Sequence, residues 1–208
     1  GAENAINLDG GGSTSLAVYD GYVNSPSDGK PRPVANGLAI LADAHVAEAS
    51  SVPVRLMSSA GDILHLSNPM DQEAIWTSED GSCFVTQAGV CYTTKAGDHT
   101  IHARANNWSK KFVISVSPGL PSKFGAKLGP AVNNPPDRNL VNIIVSDNYG
   151  NPIADRIVRL KVSNGSAESD FVKTDSQGRC EVEIVWDREF GRQVSISSSG
   201  LNTITLKP

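Results

Sequence analysis

Short apolar runs alternate with turn-forming residues along most of the chain. Val54-Arg55-Leu56-Met57, Ile63-Leu64-His65-Leu66, Ala74-Ile75-Trp76, Cys83-Phe84-Val85, Val90-Cys91-Tyr92, His99 to Ala105 and Lys111 to Val116 are such runs. Ser59-Ala60-Gly61-Asp62, Glu79-Asp80-Gly81 and Lys95-Ala96-Gly97-Asp98 stand between them. Runs of this length and spacing predict short strands folded as an antiparallel sandwich. A second set follows: Asn139 to Ser146, Arg156 to Val162, Ser169 to Lys173, Arg179 to Trp186, Gln193 to Ser197 and Leu201 to Leu206. Between the sets, 117–136 holds five prolines and three glycines with few apolar pairs, which predicts a linker.

The first fifty residues are less regular. Ser13 to Tyr19 reads as a strand, Asp20-Gly21 as a hairpin turn, Tyr22-Val23-Asn24 as a short return strand and Val34 to Leu41 as another strand. Ser25 to Pro33 is too rich in Pro and Gly for a regular element. Ala42 to Ser50 is alanine-rich, but it lies directly between strands and reads as a linker or edge segment. The expected fold is therefore all-β: a partial strand segment over 1–42, a sandwich over 43–117, a linker over 118–136 and a second sandwich over 137–208.

Charge and composition remove some functions. The net charge is −4 and no run of Lys or Arg exceeds two, which argues against nucleic acid as a partner. No apolar run approaches the roughly twenty residues that cross a bilayer. No secretory leader is visible, and one is expected upstream; Gly1-Ala2 reads as an expression scar. Cys83 and Cys91 flank a turn near Gln87-Ala88-Gly89 that would set them opposite one another. They are a candidate disulfide implying an oxidising compartment, with two reduced thiols as the alternative. Cys180, on the apolar side of Arg179 to Trp186, reads as a buried small hydrophobe.

The densest chemistry lies in Asn7-Leu8-Asp9-Gly10-Gly11-Gly12-Ser13-Thr14. Three glycines let the backbone approach a bound group closely, and successive amides in a turn form a concavity for an anion. Asp9 adds a carboxylate beside it. One hairpin later, the polar loop with Asp28 and Arg32 ends the next strand, so the two segments are expected to converge. Asp9 and Asp28 are the available carboxylate pair for glycosidic bond cleavage, which ordinarily takes two. Arg32 offers a fork of donors for phosphate oxygens, although it also suits a surface position between prolines; Ser27-Asp28-Gly29 is also ordinary turn chemistry.

These residues carry a resemblance. Asn7-Leu8-Asp9-Gly10-Gly11-Gly12-Ser13, a strand, a short hairpin, then Asn24-Ser25-Pro26 through Arg32-Pro33-Val34-Ala35-Asn36 is similar to the C-terminal end of the phosphodiester glycosidase domain, the family of N-acetylglucosamine-1-phosphodiester α-N-acetylglucosaminidase. It covers about the first forty residues. The resemblance implies hydrolysis of a sugar-1-phosphodiester, with Asp9, Ser13, Arg32 and Asn36 at family motif positions and Gly10, Gly11 and Gly12 lining the substrate. A complete domain of that kind needs a much longer chain before the glycines, so this chain is expected to be a C-terminal portion without turnover of its own.

The strings around Ile75-Trp76, Lys95-Ala96-Gly97 and Thr100-Ile101-His102-Ala103 are similar to bacterial Ig-like repeats, with Trp76 implied as a core residue. Asp147-x-x-Gly150-Asn151-Pro152 and Thr174-Asp175-x-x-Gly178 resemble the invasin and intimin type. That implies an exported, extracellular or cell-surface protein whose Ig-like modules act as spacers or bind cell-surface glycan. The competing reading is a non-catalytic Ig-like adhesion or structural protein. No cofactor is expected, and a divalent metal stays open but is not indicated by the sequence: the four histidines lack metal-ligand spacing and read as solvated or capping, and Asp80, Asp147 and Asp175 read as turn formers. Trp108 and Trp186 are weighed as sugar-stacking residues, with a rim or core role preferred. Residues 3–41, short of a partner sheet, are expected to expose strand edges that are satisfied by another copy, by the adjacent Ig-like domain or by crystal contacts.

Overall fold

Alternation at period two builds two separate β-sandwich units, 1–117 and 118–208. A computed structural model describes residues 10–18, 21–34, 37–39, 52–67, 73–105, 108–132 and 137–208. The described residues are nearly all β, with a single 3-10 turn at Gly11–Ser13.

The first unit holds β1 (Ala17–Val18), β2 (Gly21–Tyr22), β3 (Val54–Ser59), β4 (Ile63–His65), β5 (Ile75–Ser78), β6 (Phe84–Val85), β7 (Val90–Tyr92), β8 (Gly97–Ala105) and β9 (Trp108–Ser117). One sheet runs β1-β2-β5-β8-β9-β3 and the other β4-β7-β6. On β9, Ser109, Phe112, Ile114 and Val116 are buried while Lys110 and Lys111 keep partial exposure. Trp76 is 3% exposed and packs on Phe112 with ring centroids 5.6 Å apart, the core position expected of it. One pairing departs from the antiparallel expectation: β3 runs parallel to β9, from Val54 opposite Phe112 to Ser59 opposite Ser117.

The second unit holds β10 (Lys123–Val132), β11 (Arg138–Ser146), β12 (Ile157–Ser163), β13 (Gly165–Ala167), β14 (Phe171–Lys173), β15 (Arg179–Trp186), β16 (Gln193–Ser197) and β17 (Ile204–Leu206). Its sheets run β10-β11-β15-β13 and β14-β12-β16-β17, enclosing a core that includes Val141, Val145, Leu160, Ile184, Trp186 and Ile196. Trp186 is a core residue, and its indole Nε1 donates to Asn139 Oδ1 at 2.7 Å. Cys180 is half-buried against this core.

Here the expected linker needs correction. Residues 123–132 form β10, an edge strand paired with β11, and Phe124, Ala126 and Leu128 pack on the core at alternate positions. The register shifts between Leu128 and Ala131, at Gly129-Pro130. An edge strand with a bulge tolerates the missing amide of a proline, so proline content misled the sequence reading.

The N-terminal segment also differs from expectation. Val34 and 37–39 lie outside strands, and Gly21 belongs to β2 rather than to the turn. Of the partners expected for its strand edges, the adjacent sandwich supplies one: Tyr22 pairs with Ser78 of β5. Asn24 clamps the hairpin by accepting from the Leu16 amide at 2.7 Å and donating to the Thr14 carbonyl at 2.8 Å.

Candidate functional site

The glycine-rich segment and the Arg32 loop meet. Gly11–Ser13 is one 3-10 turn in which the Ser13 and Thr14 amides donate to the carbonyls of Gly10 and Gly11 at 3.3 and 3.2 Å. Those two amides are used within the turn. The Arg32 amide donates to Gly12 O at 3.3 Å. Arg32 Nε donates to Asp28 Oδ2 at 2.5 Å, and Ser27 Oγ donates to Asp28 Oδ1 at 3.3 Å. A Cβ on buried Gly12 would lie 2.5 Å from Asp28 Cγ and 2.8 Å from Arg32 Nε, so only glycine allows this approach.

The corner faces solvent, the Arg32 side chain being 57% exposed and that of Asp28 37%. The Arg32 hydrogen bond holds the Asp28 carboxyl below its ordinary range, so Asp28 is ionised near neutrality. An ionised carboxylate suits the base or nucleophile half of the expected carboxylate pair rather than the proton-donating half, and here it also fixes the arginine. Among the described residues, the contact of the Arg32 side chain is made through Nε, to Asp28. Asp9 and Asn36 lie outside the described residues.

The loop is seated on the first sandwich. Pro26, Pro31 and Tyr22 surround Gly81, where a Cβ would meet them at 3.3, 3.6 and 3.6 Å, and Ser25 Oγ donates to Gly81 O at 3.2 Å. Beneath Gly81 the turn is tied down by a network that the sequence reading missed. Asp80 Oδ1 accepts from the Ser82 amide at 2.9 Å and from its hydroxyl at 2.6 Å. The same hydroxyl lies 2.7 Å from His99 Nδ1, and His99 Nε2 lies 2.7 Å from the Lys95 carbonyl. Burial works against the charged form of Asp80, but the Ser82 hydrogen bonds with the nearby His99 and Lys95 outweigh it and keep its carboxyl below the ordinary value.

His99 is 4% exposed, which corrects the expectation of a solvated or capping histidine. Its place two and four residues before Ile101 and Ala103, on their inward face, was the available signal. The set is not a nucleophilic triad. Acid and base bond the same hydroxyl, whereas a relay needs the acid on the far nitrogen of the imidazole.

Other candidates resolve as structural. Asp147 is buried and accepts from the amides of Tyr149 and Asn151 through Oδ1, and from Asn151 Nδ2 and the Gly119 amide through Oδ2. Asp175 accepts from the Gln177 and Arg179 amides. Among the described residues, no three His, Cys, Asp or Glu gather as metal ligands. The sugar-stacking role weighed for Trp186 is excluded by its burial. The exposed aromatic pair is instead Phe84 and Tyr92, stacked across β6 and β7 with centroids 5.7 Å apart.

Residues 1–41 match the phosphodiester glycosidase family. No curated protein matches the chain. Among solved structures, the D00–D0 domain of intimin is similar at 10% identity and a TM-score of 0.37, covering 79% of this chain and 100% of that one. The D0–D1 domain of intimin covers 71% and 93% at 14% identity and 0.33. A β-glucuronidase from Parabacteroides merdae shares 18% identity at 0.35, over 58% of this chain and 18% of its own length. No helix among the described residues is long and apolar enough to cross a membrane.

Proposed function

We propose that residues 1–41 contribute to the substrate site of a phosphodiester glycosidase, with Arg32 binding the phosphate of a sugar-1-phosphodiester. The observation that carries this is the meeting of Gly12 with the Asp28–Arg32 pair, inside the segment that matches the family. Asp28 fixes Arg32 at Nε, and the outer edge of the guanidinium, with the Gly11 and Gly12 amides, receives phosphate oxygens. Breaking the bond from the sugar's anomeric carbon to the phosphate oxygen leaves negative charge on the departing phosphate. A positioned arginine stabilises that charge as it develops. Asp9 is the carboxylate proposed to act at the sugar. Among the described residues the corner holds one arginine and one carboxylate, Asp28. The sandwich units serve as spacers or glycan-binding modules of an exported, cell-surface protein.

The other reading, a non-catalytic surface module, is favoured by one observation: no residue before Val54 belongs to the first core or packs against it among the described residues. The experiment that separates the two uses the full gene product that carries these residues. It is assayed on an N-acetylglucosamine-1-phosphodiester and on a phosphate-free aryl N-acetylglucosaminide, with Asp9→Asn and Arg32→Gln variants. The glycosidase reading expects Arg32→Gln to lower kcat/KM on the phosphodiester on the order of 100-fold with little change on the neutral substrate, and Asp9→Asn to abolish both. Absence of turnover by the unmutated protein would favour the surface module.

A further inference from the structure

We propose that Cys83 and Cys91 are joined by a buried disulfide that forms as the β6–β7 hairpin closes. The inference stands apart from the glycosidase reading. The two sulfurs lie 2.8 Å apart, and the residues are 2% and 0% exposed within a core that includes Trp76, Val85 and Ile101. The register differs from the directly opposed pair expected from sequence. Val85 faces Cys91 and Phe84 faces Tyr92, which places Cys83 diagonally from Cys91, just ahead of β6 and on the same inward side. A bond at the ordinary length of about 2.05 Å needs less than an ångström of further approach. Among the described residues no third His, Cys, Asp or Glu joins them as a metal ligand. Cys180, in the other unit, has no such partner.

The chemistry balances with a small or protein disulfide as oxidant. One thiolate attacks the oxidant's disulfide, releasing one thiolate and leaving a mixed disulfide. The second cysteine, having lost its proton, attacks the sulfur of the first and expels the other half of the oxidant. Two thiols are oxidised, one disulfide is reduced to two thiols, and the protons pass to those leaving groups. Burial decides the timing. Neither sulfur is reachable once the sandwich has packed, so the bond forms before the core closes and is afterwards shielded from reductant. The bridge then braces the hairpin that begins one residue after the Asp80–Ser82 turn.

The test refolds the full, reduced chain with a glutathione redox pair, denatures it without reductant and alkylates it. Peptide mapping then locates the unmodified cysteines. The expected product is two hydrogens lighter, carries a peptide cross-link from Cys83 to Cys91 and is alkylated only at Cys180. In the folded state it resists dithiothreitol. Its unfolding midpoint exceeds that of the reduced chain by on the order of ten degrees, a difference absent from the Cys83→Ala/Cys91→Ala variant. Folded protein alkylated at all three cysteines, or cross-linked through Cys180, would overturn the proposal. So would a midpoint indifferent to reduction in unmutated protein.

Discussion

Arg32 Nε and Asp28 Oδ2 stand 2.5 Å apart against the Cα of Gly12, which makes a backbone position the floor of an ion pair. The pair is exposed, so its worth lies in aiming the guanidinium rather than in holding the fold together. Gly12→Ala is therefore expected to weaken binding of a sugar-1-phosphodiester while leaving the melting temperature nearly unchanged, because Asp28 and Arg32 can swing away. Asp28→Asn is expected to do the same. Isothermal titration beside thermal unfolding separates the two effects.

Asp147 is expected to make the stability of the second unit depend on pH in the acid range. Its burial opposes ionisation, but hydrogen bonds from Asn151, Gly119 and Tyr149 outweigh that and set its carboxyl below the ordinary value. A carboxyl lowered in the folded state contributes stability above its unfolded value of about 3.9, and the contribution is lost as pH falls through the folded value. The second unit should therefore unfold more easily below about pH 4, and Asp147→Ala should flatten that dependence. At neutral pH the substitution should cost on the order of 3 kcal/mol by leaving buried donors unpaired. Denaturant melts at pH 7 and pH 3 check both statements.

Gly178 closes the turn after Asp175 with φ +68°, and a Cβ there would lie 3.0 Å from the Ile153 amide nitrogen. Gly178→Ala is expected to destabilise the second unit by more than ~1 kcal/mol, read from the same melts.

Asn139 joins the core to the bulged edge: it accepts from Trp186 Nε1 and donates to Gly129 O at 2.9 Å. Asn139→Leu strands a buried indole N–H and should cost about 1–3 kcal/mol, with a change in near-ultraviolet circular dichroism from Trp186.

Where apolar residues alternated cleanly, as in Arg138–Ser146 and Arg179–Trp186, the sequence was enough to place strands and core. It was weaker where a local signal opposed a tertiary one. Gly129 and Pro130 masked the alternation of Phe124, Ala126 and Leu128, and the parallel pairing of β3 with β9 leaves no trace in either strand alone. His99 was misread because its partners, Ser82 and the Lys95 carbonyl, come from turns whose path is fixed only by the fold. At the candidate site the motifs foretold that the glycines and the Arg32 loop converge. They did not foretell that Asp28 would be committed to Arg32, since an ion pair across a loop depends on where that loop is seated.

The most direct test of the central claim follows the amide and guanidinium resonances of this chain as methyl N-acetylglucosamine-1-phosphate diester is added. The account predicts saturable shifts at Gly11, Gly12 and the Arg32 side chain, weakened by added inorganic phosphate and lost in Arg32→Gln. Shifts confined to the sandwich units, or unchanged spectra at millimolar ligand, would contradict it.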